Sequence, residues 1–129
     1  MSDQTVLLVE DEERLRSYYA EWLSDSCEVR EAESIDEAVA KFDRDVDMAI
    51  LDRRLPNGHA EGLVPRFSDR NPDCKFALIS GVSPNWDVMD VDFDAYVEKP
   101  IREEDFGSLL ASLEGDEPAS LAGSDSVVL

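Results

Sequence analysis

The stretch MAILDRRLP, residues 48–56, decides how the rest of the sequence is interpreted. Its first four residues, Met48 to Leu51, form an apolar run that ends abruptly on the acid Asp52. A continuous apolar run is typical of a strand covered on both faces, as the strands of parallel sheets are. Asp52 then stands at the carboxyl end of a strand, which is where open α/β sheets gather their ligands.

Other apolar runs complete a set of five predicted strands. The further runs are Val6–Val9, the weaker alternating segment Cys27–Ala32, Phe76–Ile79 and Ala95–Val97. All are short, and each is separated from the next by a segment long enough for a helix. The pattern therefore predicts strands joined by helical crossovers.

The segments between the runs carry helical signals of different strength. Residues 12–24 have apolar side chains three and four apart, Ser34 opens a second helix with a capping box, and a last helix starts near Glu103. Residues 60–70 and 84–91 are weaker predictions, because the first contains a proline and the second is short and acidic. Alternation of strand and helix predicts an α/β fold with a parallel five-stranded sheet and five helices.

The length and the net charge of the chain limit the number of domains and the kinds of partner that it can bind. With 129 residues, we expect one domain over residues 1–114 and a flexible acidic tail or linker stub at 115–129. The chain has 31 acidic against 12 basic residues and a net charge of −19, which argues against direct nucleic-acid binding. Since a membrane span and a signal peptide are both missing from the pattern, we expect a cytoplasmic protein with no membrane contact.

The acid excess itself has two interpretations. Only three of the basic residues are lysines, and a charge of this size destabilises a compact state unless salt screens it. We expect the cytoplasm of a halophile; the alternative is an acidic mesophilic domain. Refolding at increasing KCl concentration separates the two, because full stability at low salt contradicts the halophile hypothesis.

Polar groups follow four of the predicted strands. Glu10 and Asp11 follow the first, Asp52 the third, Ser80 the fourth and Lys99 the fifth. Crowded carboxylates favour a hard divalent cation, and Mg²⁺, or Mn²⁺ in its place, binds such oxygens while leaving room for a phosphoryl oxygen. With an ammonium and a hydroxyl beside it, Asp52 is predicted to be a nucleophile that attacks phosphorus and becomes an aspartyl phosphate.

These residues resemble the receiver domain of two-component response regulators over residues 4–113. The matching motifs are Val-Glu-Asp-Glu at 9–12, Asp-x-x-Leu-Pro at 52–56, Ser80-Gly81 and Tyr96-x-x-Lys99-Pro100. The resemblance implies a flavodoxin-like, doubly wound sheet with strand order 2-1-3-4-5. Within the family, the sequence is similar to receivers of halophilic archaea, some of which carry a small helical output domain called HalX.

The resemblance also implies roles for individual residues. Asp52 would accept a phosphoryl group from the phosphohistidine of a histidine kinase. Asp11 and the backbone carbonyl of Arg54 would ligate Mg²⁺ together with Asp52, and Glu10 would act mainly through water. Lys99 would hold the phosphoryl group. Such a protein is not an enzyme in the usual sense, but a phosphoacceptor that assists its own phosphorylation and dephosphorylation.

The resemblance also implies which residues pass the signal on after phosphorylation. Ser80 would follow the phosphoryl group and Tyr96 would turn inward, which changes the surface formed by the fourth helix, fifth strand and fifth helix. The Lys99–Pro100 peptide bond is expected to be cis. An effector domain or protein, and a homodimer formed on phosphorylation, are the further partners that the family implies.

Two positions depart from the family pattern. Ala60 occupies a place where the family has glycine, and Gly62 follows two residues later, so the start of the third helix is open. Arg54 is large and cationic at the second position after Asp52, and we expect the Arg54→Ala substitution to change the lifetime of the acyl phosphate. His59, in the same loop, is interpreted as solvent-exposed rather than as a ligand.

Each of these candidate site residues also has a simpler interpretation. The acids from Glu10 onward suit a helix N-terminus, Lys99 suits a solvated loop, and Tyr96 suits a strand aromatic that fills the core. A metal-dependent phosphatase would need an acid where Arg54 stands. The remaining alternative is a phosphorylation-independent pseudo-receiver that acts as a protein-interaction module.

Overall fold

The fold is an α/β sandwich built on one parallel sheet. The computed structural model describes residues 4–52, 54–55, 58–59, 62–80 and 94–114. The strands are β1 (Gln4–Val9), β2 (Cys27–Ala32), β3 (Met48–Asp52), β4 (Arg54–Leu55), β5 (Gly58–His59), β6 (Lys75–Ser80) and β7 (Ala95–Glu98). The helices are α1 (Glu13–Ser24), α2 (Ile35–Lys41), α3 (Leu63–Arg70) and α4 (Glu103–Glu114). The predicted helix at 84–91 and the predicted tail at 115–129 lie outside the described residues.

The order of the strands confirms the predicted topology. The main sheet runs β2-β1-β3-β6-β7, and its neighbouring strands are all parallel. Counted along the chain within this sheet, that is the order 2-1-3-4-5. The chain reverses its direction of travel across the sheet at β1 and β3, so the carboxyl ends of these two strands border the crevice where such folds bind ligands.

Both faces of the sheet are covered, which explains why the apolar runs are continuous. Alternate residues of each strand point to opposite faces. One face buries Leu7, Val9, Ala49 and Leu51 under α2 and α3, where the rings of Phe42 and Phe67 stack 4.0 Å apart. The other buries Val6, Leu8, Ile50, Ala77 and Ile79 against Tyr19, Leu23, Phe106 and Leu109 of α1 and α4.

Local signals account for the helix starts. The hydroxyl of Ser34 accepts a hydrogen bond from the backbone N–H of Glu37 at 3.2 Å, so the predicted cap forms. The third helix begins at Leu63, three residues later than the start of the predicted segment. Pro65 is then its third residue, and a missing N–H costs nothing there because the first turn has no intrahelical acceptors for its N–H groups.

A second, two-stranded antiparallel sheet follows β3 directly. It pairs Arg54 with His59 and Leu55 with Gly58. This pairing was not predicted, because two-residue strands have no periodicity to recognise. It places the main chain of Arg54 in a defined extended conformation two residues beyond Asp52.

The described helices are short compared with the thickness of a bilayer. Each has at most 12 residues. Within the described part of the chain, none is both long and apolar enough to cross a membrane.

Candidate functional site

The carboxyl edge of the sheet brings the predicted acids together. Asp52 is the last residue of β3, while Glu10 and Asp11 follow β1, its neighbour in the sheet. One carboxylate oxygen from each of these three residues lies within 4.8 Å of the others. Glu10 and Asp52 are buried and Asp11 is exposed, so the group forms a cleft that is open on one side.

Lys99 enters the same cleft from the end of β7. Its Nζ lies 3.1 Å from Asp52 Oδ2 and 3.4 Å from Glu10 Oε1. Burial opposes the charge on this side chain, but the carboxylates of Asp52 and Glu10 outweigh that effect and raise the pKa of the Lys99 ammonium. Lys99 is therefore a fixed cation facing two acids, not a solvated loop lysine. The peptide bond from Lys99 to Pro100 is cis, as predicted.

Glu10 has the most perturbed environment of the three acids. Its side chain is 1% exposed, and its Oε2 accepts a hydrogen bond from the backbone N–H of Glu12 at 3.1 Å. Its Oε1 is buried and makes no hydrogen bond to the described residues, although Lys99 lies nearby. Burial, followed by the proximity of the Asp52 carboxylate, raises the pKa of Glu10 to about 8. A cation in the cleft would relieve this cost.

Ser80 and Tyr96 lie in the two strands beyond Asp52. Ser80 is buried as the last residue of β6, and its carbonyl accepts a hydrogen bond from the backbone N–H of Lys99 at 2.7 Å. Tyr96 is fully buried in β7, within the core cluster on the α2–α3 face of the sheet. Arg54 is described through its main chain alone. The roles of these residues stay predictions.

One contact at this edge was not singled out from the sequence. Arg16 of α1 donates a hydrogen bond from Nη1 to the main-chain carbonyl of Glu10 at 2.9 Å. Its Nε also lies 3.4 Å from Glu31 Oε1, at the end of β2. The only sequence signal was an arginine on α1, six residues after Glu10, and a helix surface carries such residues for many reasons.

Several solved structures of response regulators are similar to this structure. The structure is similar to a CheY-like receiver domain from Methanospirillum hungatei, with a TM-score of 0.79, 23% identity, and coverage of 88% of this chain and 95% of that one. It is also similar to the response regulator TrrA of Thermotoga maritima in complex with Mg²⁺ and BeF, with a TM-score of 0.75, 26% identity, and coverage of 85% and 98%. A Burkholderia pseudomallei response regulator with a phosphorylated aspartic acid matches with a TM-score of 0.72, 26% identity, and coverage of 86% and 66%.

Sequence comparison leads to the same group of proteins. A Haloferax volcanii protein named as a candidate transcriptional regulator is 34% identical over 105 residues. The match covers 81% of this chain but only 18% of that relative, so the chain spans less than a fifth of its length. The model of the response regulator receiver domain matches residues 6–111. The chain belongs to the receiver domain family of the response regulators of two-component signalling.

Proposed function

We propose that this receiver domain is a switch that accepts a phosphoryl group from the phosphohistidine of a histidine kinase onto Asp52. The observation that carries the proposal is the cleft itself, in which Lys99 Nζ lies 3.1 Å from Asp52 Oδ2 and three acidic side chains converge within 4.8 Å. A buried carboxylate held by an ammonium has an oxygen positioned for attack and a cation beside the place where negative charge gathers on phosphorus.

The donor set fits a hard divalent cation. Glu10 Oε1, which makes no hydrogen bond to the described residues, and the neighbouring carboxylates offer oxygen atoms only, the ligand type that Mg²⁺ and Mn²⁺ prefer. Asp11, Asp52 and the main-chain carbonyl of Arg54 would hold the ion, with Glu10 acting mainly through water. When bound, the ion would neutralise the carboxylates and the phosphoryl oxygens. The Mg²⁺ complex of TrrA, at 26% identity, supports this part of the proposal.

The transfer exchanges one bond to phosphorus for another. An Asp52 carboxylate oxygen forms the new O–P bond while the N–P bond of the phosphohistidine breaks, and the electron pair of that bond returns to the imidazole nitrogen. Lys99 stabilises charge on the phosphoryl oxygens, and the Ser80 hydroxyl donates a hydrogen bond to one of them. Water later attacks phosphorus in the same cleft, the O–P bond to Asp52 breaks, and the Asp52 carboxylate and inorganic phosphate are released. The chain thus assists its own phosphorylation and dephosphorylation without turning over a separate substrate.

Output depends on residues beyond the cleft. In the proposed response, Ser80 moves with the phosphoryl group and Tyr96 adjusts beside it, which alters the surface formed by the predicted helix at 84–91, β7 and α4. Tyr96 is fully buried, so its movement requires a change of packing rather than a simple rotation in solvent. The simpler role, an aromatic that fills the core, predicts that Tyr96→Phe leaves signalling unchanged.

The proposed function also implies a location and partners for the protein. We infer a cytoplasmic protein whose partners are a histidine kinase and an effector domain or protein, with homodimerisation on phosphorylation. The Haloferax volcanii relative supports a regulatory output, and an output domain of the HalX type is one form that it would take. In such a protein, DNA contact would belong to a part other than this acidic domain, which carries a charge of −19.

The same relative supports a halophilic host. We expect the free energy of unfolding to rise as KCl increases from about 0.1 M to about 2 M, because salt screens the repulsion between the excess acids. Urea unfolding at fixed pH measures this dependence. Equal stability at both salt concentrations contradicts the halophilic assignment and favours an acidic mesophilic protein.

The proposed chemistry has a direct test. The chain is incubated with acetyl phosphate or phosphoramidate and Mg²⁺, and intact-mass spectrometry detects the addition of one phosphate. We expect the wild type to gain it and Asp52→Asn not to. The matched control is Asp47→Asn, which changes an aspartate at the opposite end of the sheet and should leave phosphorylation intact. Failure of the wild type to gain phosphate would favour a phosphorylation-independent interaction module.

A further inference from the structure

Arg16 connects three segments at the carboxyl edge of the sheet. Its guanidinium donates to the Glu10 carbonyl at 2.9 Å, and it lies 3.4 Å from Glu31 Oε1 and 3.8 Å from Glu33 Oε1. The side chain is only 14% exposed, which is low for an arginine on a surface helix. We propose that Arg16 is a positioning residue for the cation site, an inference that rests on the proposed function.

The peptide group that Arg16 holds joins Glu10 and Asp11, the first two of the three acids of the β1–α1 loop. The Glu10 carbonyl belongs to the amide that links Glu10 to Asp11, so the orientation of this one plane sets the direction in which both side chains leave the backbone. The Glu10 N–H donates to the carbonyl of Ala32 at 3.0 Å, which fixes the other side of Glu10 to β2. Arg16 adds a restraint on the loop from the side chain of a helix residue, beside the hydrogen bond that Glu10 Oε2 accepts from the Glu12 N–H.

The neighbours of Arg16 keep its guanidinium in place. Glu31 and Glu33 lie on the end of β2 and just after it, and both face the same guanidinium. The planar fork of arginine donates in several fixed directions at once, whereas a lysine ammonium acts as a point charge. Arg16 therefore links α1, the β1–α1 loop and the end of β2 through one rigid group.

Positioning and simple charge predict opposite effects on cation binding. A positive charge near a cation site repels the cation, so the loss of Arg16 would tighten Mg²⁺ binding if charge were its whole contribution. If Arg16 orients the Glu10–Asp11 peptide, its loss lets the two carboxylates turn away from the site, and Mg²⁺ binding weakens. The sign of the change in affinity therefore separates the two roles.

The experiment measures Mg²⁺ affinity by isothermal titration calorimetry on the full chain at constant KCl. The variants are Arg16→Gln, Arg16→Lys and Arg14→Gln. Arg14 is an exposed residue of the same helical turn, and its substitution removes the same charge. We expect Arg16→Gln to weaken Mg²⁺ binding by about 10- to 100-fold, which is the usual cost of losing a group that orients metal ligands. Arg16→Lys should weaken Mg²⁺ binding less than Arg16→Gln does. Arg14→Gln should bind Mg²⁺ at wild-type affinity or slightly more tightly.

The free energy of unfolding without Mg²⁺ is measured in parallel by urea titration. A merely structural role would lower this free energy and leave the Mg²⁺ affinity of the folded protein at its wild-type value, which overturns the proposal. Should Arg16→Gln not fold, Arg16→Lys, which retains the charge, takes its place. A wild-type Mg²⁺ affinity in folded Arg16→Lys then overturns the proposal.

Other outcomes also separate the two proposals. Binding to Arg16→Gln that is as tight as in the wild type, or tighter, overturns the positioning role and leaves the magnesium site standing. Equal weakening in Arg14→Gln and Arg16→Gln overturns it as well, since the effect would then not depend on the contact with the Glu10 carbonyl. Wild type that binds no Mg²⁺, or that binds no better than Asp11→Asn, overturns the magnesium site and the role of Arg16 with it.

Discussion

The two ends of the same sheet carry acidic side chains in opposite circumstances. At the amino end, Asp47 Oδ2 accepts a hydrogen bond from the Thr5 N–H and Asp94 Oδ2 accepts one from the Phe76 N–H, each at 2.8 Å. At the carboxyl end, the carboxylates crowd one another around Lys99, and one buried oxygen of Glu10 has no hydrogen bond among the described residues.

The difference shows what each end is suited to do. A backbone N–H group of the neighbouring strand donates to one oxygen of each amino-end acid, so these acids tie adjacent strands together. The carboxyl-end acids face one another and a cation, an arrangement that costs stability unless a ligand joins them. The same residue type thus serves the structure at one end and the proposed chemistry at the other.

The two ends of the sheet should differ most when a lysine is removed from each. We expect Lys99→Ala to slow phosphorylation by acetyl phosphate by about 100-fold or more, because it removes the fixed cation from the phosphoryl oxygens. Lys75→Ala, at the start of β6 on the amino end, removes the same charge and should keep the wild-type rate. Intact-mass time courses give both rates. Similar slowing in the two variants would mean that net charge, not position, controls the reaction.

The converse substitution tests the structural end. Asp47→Ala should lower the free energy of unfolding by about 1.5–3 kcal/mol, the usual worth of a hydrogen bond to a charged group, and leave the phosphorylation rate unchanged. Urea unfolding measures the first quantity and mass spectrometry the second. Asp45→Ala, an exposed neighbour, is the control and should change stability little. A slower reaction in Asp47→Ala at unchanged stability would contradict the division between the ends.

The crowding of acids at the carboxyl end should make the stability of the protein depend on pH through Glu10. Its folded pKa of about 8 lies above its ordinary value of 4.5, so the folded state retains a proton that the unfolded state releases. Its stabilising contribution is therefore complete below pH 4.5 and is lost as pH rises through about 8. Without divalent cations, the slope is at most about 1.4 kcal/mol per pH unit for one proton.

Urea unfolding between pH 4.5 and pH 8 measures this slope, with Glu10→Gln as the matched variant. The variant keeps the shape of the side chain and cannot titrate, so its stability should fall less over the range. Because all other titrating groups are shared, the difference between the two curves isolates Glu10. Parallel curves would show that Glu10 does not hold the extra proton.

The sequence was sufficient for the elements whose signals are local. Continuous apolar runs such as Met48–Leu51 predicted the strands because burial on both faces leaves no polar alternation, and Ser34 predicted a helix start because its cap lies within the same turn. The convergence of Asp52 and Lys99 also followed, since the topology of a parallel sheet brings successive carboxyl ends to one edge.

Other features depend on contacts between distant parts of the chain. The start of α3 at Leu63 was missed because Pro65 is equally compatible with a break and with a first turn. The hydrogen bond from Thr5 to Asp47 joins residues 42 positions apart, and nothing local distinguishes Asp47 from Asp45. Arg16 was missed for the same reason, as its partners lie on two other segments, the β1–α1 loop and the end of β2.

The most direct test of the central claim locates the phosphate on the chain. The protein is phosphorylated with acetyl phosphate and Mg²⁺, reduced with sodium borohydride, which converts an aspartyl phosphate to homoserine, and digested for peptide mass spectrometry. Our account predicts homoserine at position 52 and unmodified aspartate at positions 47 and 94. Homoserine at another acid, with Asp52 unchanged, would contradict the assignment of Asp52 as the phosphoacceptor.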